Sequence, residues 1–315
     1  MDKTQVLVLG DANVDILIPL SERLPGTPIS RDSRLELHGG GTAANVAVAL
    51  TRLGVSTSFI GTIGDDGYGR WVIDDLKKEG VQTQQTFLVQ DAFTSVVMAL
   101  IYPDGERDLY VWPDKGGAHT KLEPSSIKSE LINSARWLHT TGLCLREETV
   151  RTAQLKAMEL AREAGLTVSL DLNLRLESWE IDSSLREVFD RAIDLTHVIF
   201  GSGFEEIVPF TGESTVQAGA NLLSAGKRIV IARQGAEGAL IVGPEDVIFS
   251  PAFKVEVVDT LGAGDAFNGG FIAARLAGKD LQESARWGNA TAALKITKSG
   301  ARGLPSWETL SALLI

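Results

Sequence analysis

Near its C-terminal end the chain carries the run Asp259-Thr260-Leu261-Gly262-Ala263-Gly264-Asp265, two acids set around two glycines. Before it, Phe253, Val255 and Val257 alternate as in a strand; after it, Phe267, Phe271 and Ala274 recur at helical spacing up to Gly278. The glycines are therefore expected at a turn that opens a helix. Amides in a first helical turn have no intrahelical acceptor and point outward with the positive end of the helix dipole. Gly262 and Gly264 let that backbone approach a ligand without Cβ interference, which makes an anion site. Asp265 falls in the same turn, where a carboxylate can take the proton of a hydroxyl while the amides hold the phosphoryl group under attack. Phosphoryl transfer asks mainly for such positioning and charge stabilisation. The plainer alternative, an acid that complements a dipole beside glycines that cap, accounts for Asp265 alone but not for the whole run. No G-x-x-x-x-G-K-[ST] occurs, so the site is not a Walker A loop.

Other residues of suitable type precede this run. Asn13-Val14-Asp15 follows the first apolar run, and Gly39-Gly40-Gly41-Thr42-Ala43-Ala44-Asn45 opens an Ala/Val-rich stretch. Carboxylates and amides such as Asp15 and Asn45 bond neighbouring hydroxyls directionally. Asp15 is equally a turn residue, and Thr42 a helix cap. Gly39–Gly41 also fits G-x-G-x-x-A, a dinucleotide fingerprint. That reading fails on context, since a dinucleotide loop follows the first buried strand, which here runs into Gly10-Asp11-Ala12-Asn13. Further on, Asp171-Leu172-Asn173-Leu174-Arg175 follows an apolar run. An Arg there can fork onto a carboxylate, a phosphate or vicinal hydroxyls, or simply pair with Asp171 or Glu177.

The elements that must position these residues are legible as an alternation. Strands are expected at Val6–Leu9, Thr57–Ile60, Trp137–Thr140, Thr167–Leu170, Val198–Phe200 and Ile229–Ala232. Helices are expected at Thr42–Leu53, Tyr68–Glu79 and near 148–163, 183–193 and 215–225, with Gly165 and Gly226 at C-caps. This rhythm argues for an α/β fold with a mainly parallel sheet covered on both faces. Two segments break it, about 12–38 and about 92–113. In the second, Val96–Ile101 and Asp108–Trp112 flank Pro103-Asp104-Gly105, a hairpin signal. Together they read as a small β-sheet lid on a single domain spanning 1–315.

Composition bounds the partners. With a net charge of -11 and no Lys/Arg block, nucleic acid is not expected. The run Val6–Leu9 is too short for a membrane span or signal core. The one cysteine, Cys144, sits between leucines and reads as a core residue of a cytoplasmic protein.

The run from Asp259 to Asp265 resembles the D-T-x-G-A-G-D motif of the ribokinase-like, or PfkB, family of carbohydrate kinases. The resemblance implies a three-layer αβα ribokinase-like fold, with Asp265 as base and Gly262, Ala263 and Gly264 as anion hole. Asn13-Val14-Asp15 is similar to the family's substrate-binding Asn/Asp-x-Asp, and Gly39 to Asn45 with Gly61 to Gly69 to its first motif, so Asp15, Gly40, Gly41 and Asn45 are implied at the sugar. Asp171 to Trp179 resembles the D-x-N-x-R-x-x-x-W stretch of fructokinases and 2-keto-3-deoxygluconate kinases, which adds Arg175. Where the latter tend to carry Tyr-x-Arg, this chain has Tyr110-Val111-Trp112, so a neutral ketose or pentose stays open beside a sugar acid. Arg233 to Gly238 resembles the T-x-G-x-x-G nucleotide loop with Arg233 for Thr, implicating Arg233, Gly235 and Gly238, and Asn289 is implied near the adenine. Glu206 matches the family's Mg²⁺-ordering Glu, with Gly203 in place of its Asn. Asp259 and the tail Thr297–Ala301 resemble a site for a monovalent cation such as K⁺. ATP, Mg²⁺, a sugar substrate and a homodimer through the lid are thus implied. A catalytically weak sugar sensor, a nucleoside kinase and a nicotinamide-dependent oxidoreductase are the alternatives.

Overall fold

A computed structural model describes residues 4–20, 35–102, 107–176 and 180–315. Nine strands form the main sheet: β1 (Val6–Leu9), β4 (Thr57–Gly64), β5 (Gln82–Val89), β8 (Trp137–Thr141), β9 (Thr167–Asp171), β10 (Val198–Ser202), β11 (Ile229–Arg233), β12 (Gly238–Val242) and β13 (Val247–Pro251), in the order β13-β12-β11-β10-β9-β8-β1-β4-β5. Pairing is parallel from β11 to β5 and antiparallel across β11–β12–β13. Successive residues of a strand face opposite sides, and in the central strands both sides are buried and mostly apolar. Val6, Val8, Phe59 and Phe200 lie in one core, Leu7, Leu9, Ile60 and Leu170 in the other. Strands buried on both faces are what a parallel sheet under two helical layers requires.

The helices are α1 (Thr42–Arg52), α2 (Gly67–Lys78), α3 (Ser129–Ile132), α4 (Glu148–Glu163), α5 (Ser183–Asp194), α6 (Val208–Thr211), α7 (Val216–Ser224), α8 (Ala263–Leu276), α9 (Leu281–Ile296) and α10 (Trp307–Leu314). Buried residues of α1, α2, α8, α9 and α10 fill the first core, and those of α4, α5 and α7 the second. Gly165 and Gly226 adopt positive φ just beyond α4 and α7, as expected of C-caps.

The two irregular segments meet in a second sheet of order β3-β2-β6-β7, formed by β2 (Asn13–Pro19), β3 (Glu36–Gly40), β6 (Val96–Ile101) and β7 (Arg107–Trp112). β6 and β7 pair antiparallel, as the hairpin signal implies; Pro103-Asp104-Gly105 and residues 21–34 lie outside the described residues. One expectation fails. Phe253, Val255 and Val257 do not form a strand, because the sheet already ends at β13. The backbone amides of Val258 and Asp259 bond instead to the Ile296 carbonyl at the end of α9, at 2.8 and 3.1 Å. Phe253 and Val255 are partly covered there, whereas Val257 is exposed.

Candidate active site

Parallel strands deliver their C-terminal ends to one rim. The strand order reverses between β1 and β8, and a crevice outside such a switch point is where α/β sheets bind ligands. Asp11, just beyond β1, holds the start of α1. Its Oδ1 accepts from the Thr42 hydroxyl (2.9 Å) and the Ala43 amide (3.2 Å), and its Oδ2 from the Thr42 amide (2.9 Å). Asn173, beyond β9, donates to the Thr42 and Thr141 hydroxyls at 3.2 and 3.1 Å. Asn173 and Arg175 both have positive φ, 40° and 49°. Side-chain-bearing residues seldom adopt that conformation, and it tends to gather at functional sites.

The N-terminus of α8 sits at the same rim. Gly262 is its N-cap, in the left-handed conformation (φ 76°), and Ala301 backbone would lie 3.0 Å from a Cβ there. The Ala263 amide donates to the Thr260 carbonyl at 3.1 Å, so that amide closes the turn. The Gly264 and Asp265 amides are those a first helical turn leaves without intrahelical acceptors.

Asp265 is almost fully buried (8% exposed). Its Oδ2 accepts from Asn45 Nδ2 on α1 at 2.9 Å. Small residues create this contact: a Cβ on Gly269 of α8 would lie 2.5 Å from the Ala49 Cβ of α1. The helices touch there, and one turn earlier on each the same approach brings Asn45 to Asp265. Burial raises the Asp265 carboxyl from 3.8 to about 7. The Asn45 hydrogen bond opposes the rise, Asp171 and Asp11 add to it, and Arg233 opposes it.

Behind the α8 turn lies a buried ion pair. Arg233, the last residue of β11, donates Nη1 and Nη2 to the two carboxylate oxygens of Asp171 at 3.0 and 2.9 Å. It also donates to Asn268 Oδ1 at 2.7 Å, and Asn268 Nδ2 donates to Asp171 at 2.7 Å. A Cβ on Gly264 would lie 3.3 Å from the guanidinium carbon, so Arg233 is packed against the expected anion hole. Burial works against the Asp171 carboxylate, but Arg233 outweighs it and holds the carboxyl below its usual range. Glu206 stands 3.8 Å from Arg233 and accepts from the Leu174 and Ser202 amides, both at 2.6 Å. Burial and Asp171 nonetheless raise its carboxyl, against Arg233 and those two amides.

This arrangement, an acid and bare amides at a helix start beside a buried cation, is accompanied by a match over residues 3–309 to the model of the pfkB family carbohydrate kinases. The chain belongs to the pfkB family of carbohydrate kinases. It is 32% identical to a fructokinase of Vibrio alginolyticus (94% of both chains) and 27% identical to a 5-dehydro-2-deoxygluconokinase of Bacillus subtilis (98% of this chain, 95% of that one). An aminoimidazole riboside kinase from Salmonella enterica, crystallised with aminoimidazole riboside and an ATP analog, superposes with a TM-score of 0.83 at 30% identity over 99% of each chain. The protein is thus an ATP-dependent sugar kinase with the expected ribokinase-like fold.

Within this pfkB kinase the predicted residues fall into two groups. Asp15, Gly40, Gly41, Asn45, Gly262, Gly264 and Asp265 share one neighbourhood. A Cβ on Gly40 would lie 2.4 Å from Asp15 Oδ1, and one on Gly41 (φ 93°) would meet the backbone of Asp11 and Ala12 at 2.6 Å. Gly41 therefore answers to chain crossing. Asp15 accepts from Asn13 Nδ2 at 2.6 Å. Burial raises its carboxyl to about 6, against the Asn13 bond and nearby Arg302 and His38. Arg175 is exposed and donates to Asn173 Oδ1 at 3.0 Å, while Asp171, one partner considered from sequence, is held by Arg233 instead; Glu177 and Trp179 lie outside the described residues.

The second group is tied up structurally. Asn289 donates to Ser250 and to the Pro251 carbonyl, anchoring β13 to α9. Gly238 (φ 121°) admits the Ser250 carbonyl, which would lie 2.1 Å from a Cβ; Gly235 (φ 56°) faces open space. Asp259 accepts the Leu261 and Gly300 amides, each at 2.9 Å, and buried Lys295 donates Nζ to its main-chain carbonyl at 2.7 Å. Among the described residues no three His, Cys, Asp or Glu side chains gather as a metal cluster. Sequence reasoning missed Asp11, Asn268, Lys295 and Arg302, buried polar residues that only the partners they serve give away.

Proposed function

We propose that this pfkB kinase transfers the γ-phosphoryl group of ATP to one hydroxyl of a small sugar, with Asp265 as the general base. The observation that carries the reading is a buried carboxylate at the N-terminus of α8, oriented by Asn45 and poised near neutral pH. A base is most effective when its pKa lies near the working pH. Asp265 takes the hydroxyl proton, and the Gly264 and Asp265 amides with the dipole of α8 stabilise charge on the transferring group. Arg233 supplies a fixed positive charge behind that turn, a role at the phosphate in place of the nucleotide loop contact read from the sequence.

Asp15 on the lid strand β2, Gly40 and Arg175 supply hydroxyl contacts, with Asn45 serving the base. Exposed Arg175 leaves ketohexoses, pentoses and 2-keto-3-deoxy sugar acids as candidate acceptors. Mg²⁺, when bound, neutralises phosphate charge. Each Glu206 oxygen already accepts one amide, which suits a metal ion held through water rather than directly. A monovalent cation fits less well, since the Asp259 oxygens accept Leu261, Gly300 and the Lys295 ammonium. Leu109 to Trp112 on the lid edge strand β7 are about half exposed, which supports a homodimer closed through the lids. Buried Cys144 and ATP use support a cytoplasmic setting.

ADP release measured with ketohexoses, pentoses, 2-keto-3-deoxy sugar acids, sugar phosphates and nucleosides tests the reading. Turnover with one of the first three classes is expected. Turnover with nucleosides alone would make it a nucleoside kinase. Tight sugar binding without ADP would make it a sensor.

A further inference from the structure

Arg302 lies in the tail loop between α9 and α10, and its side chain is almost wholly buried. The guanidinium reaches three elements. Nε donates to Asn45 Oδ1 on α1 at 2.8 Å, Nη1 to Asp75 Oδ2 on α2 at 2.7 Å, and Nη2 to the Gly40 carbonyl of lid strand β3 at 3.4 Å. Asn45 in turn donates Nδ2 to Asp265 Oδ2 at 2.9 Å. We infer that Arg302 is a positioning residue for the base, acting through Asn45; the inference rests on the reading of Asp265 as base.

The chemistry of the amide makes the chain directional. Asn carries one acceptor oxygen and one donor nitrogen. With the guanidinium, which can only donate, on one side, the oxygen must face Arg302 and the NH₂ must face Asp265. A flipped amide would set donor against donor at Arg302 and acceptor against acceptor at Asp265, leaving buried polar groups unmade. Arg302 therefore fixes which end of Asn45 the base meets. It holds Asp265 by Oδ2 and leaves Oδ1 to receive the proton. The Asp75 carboxylate, with Glu79 and Asp15 nearby, balances the buried cation, and Arg52 opposes it. The other charged groups facing Asp265 are Asp171, Asp11 and Arg233.

The same guanidinium contacts the lid through Gly40 and acts electrostatically on Asp15. A residue that orients the base is thus also seated on the strand beside the expected sugar contact. Free rotation of Asn45 would weaken its bond to the ionised base, so the base would ionise at higher pH.

The test is a kcat–pH profile and a double-mutant cycle on the full chain. Arg302→Met is expected to lower kcat roughly 10-fold or more at pH 7 and to move the acidic limb up by about half a unit to one unit. The KM for ATP stays within about threefold, and Arg302→Lys, which keeps one charged donor, recovers part of the loss. Asn45→Ala moves the limb the same way, and adding Arg302→Met to it changes little further, since coupled residues are not additive. An unmoved limb, or fully additive losses, overturns the inference and leaves Arg302 a structural ion pair. Should Arg302→Met not fold, Asp75→Asn loosens the guanidinium from the outside; the same shift supports the inference and an unchanged profile overturns it. Asp265→Asn separates the two readings. Turnover in that variant defeats the base itself, whereas an inactive Asp265→Asn with an unmoved Arg302→Met limb defeats only the role of Arg302.

Discussion

Replacing Asp265 by Asn is expected to stabilise this kinase while stopping it. The Asp265 carboxyl is raised from 3.8 to about 7, chiefly by burial. Folding therefore binds a proton that the unfolded chain releases between those values. Where the folded state binds more protons, stability falls as pH rises. At pH 8 the carboxylate is ionised in both states, and a shift of about three units costs the fold about 4 kcal/mol. At pH 5 the folded carboxyl is protonated, and the cost is only about 1.6 kcal/mol, that of protonating a group whose unfolded value is 3.8. Asn carries neither cost, and its Oδ1 still accepts from Asn45.

Unfolding entropy of about 2.1 cal/mol/K per residue amounts to ~0.66 kcal/mol/K over this chain. Asp265→Asn should then raise Tm by roughly 6 °C at pH 8 and by roughly 2–3 °C at pH 5. Calorimetry of both proteins at both pH values, without ligands, checks this. A variant less stable than the parent at pH 8, or a Tm difference that does not change with pH, refutes the reasoning that Asp265 is a desolvated ionising group.

Arg233→Met removes the partner of buried Asp171 and should cost about 3–5 kcal/mol, the usual penalty for an orphaned buried charge; urea unfolding reads it, and a loss below about 1 kcal/mol would show that Asn268 alone satisfies Asp171. Asp15→Ala should raise the KM for the sugar at least about tenfold, the loss of one charged hydrogen bond, while the KM for ATP stays put; steady-state kinetics with each substrate varied decides, and a matching rise for ATP would place Asp15 outside the sugar contact. Because the Lys295 ammonium already stands at Asp259, activity in potassium chloride and in tetramethylammonium chloride of equal ionic strength should agree within about twofold, whereas strong activation by K⁺ would show that a metal ion is needed there as well.

Apolar runs revealed where the strands lie, yet several strands extend past the predicted end onto a polar residue. β8 continues to Thr141, β9 to Asp171, β10 to Ser202 and β11 to Arg233. Burial in a two-sided core imposes apolarity only as far as the helices cover the strand. Beyond that point the side chains face the site, and the signal that finds strands stops where function begins. β5, β12 and β13 escaped notice; β5, an edge strand, opens on a run of Gln and Thr and turns apolar only at Phe87. In the site, Asp265 and its glycines were legible because local geometry alone explains them. The partners of Asn45 and Arg233 were not legible, since Arg302 and Asp171 lie 257 and 62 residues away. No spacing rule connects residues joined only by tertiary packing.

The most direct test of the account is transfer of label from [γ-³²P]ATP to the accepted sugar under single-turnover conditions. The parent should label the sugar, and Asp265→Asn should do so at least about 10²-fold more slowly, with the binding of sugar and nucleotide within about threefold of the parent. Label transfer by Asp265→Asn at more than a tenth of the parent rate would contradict the assignment of Asp265 as the base.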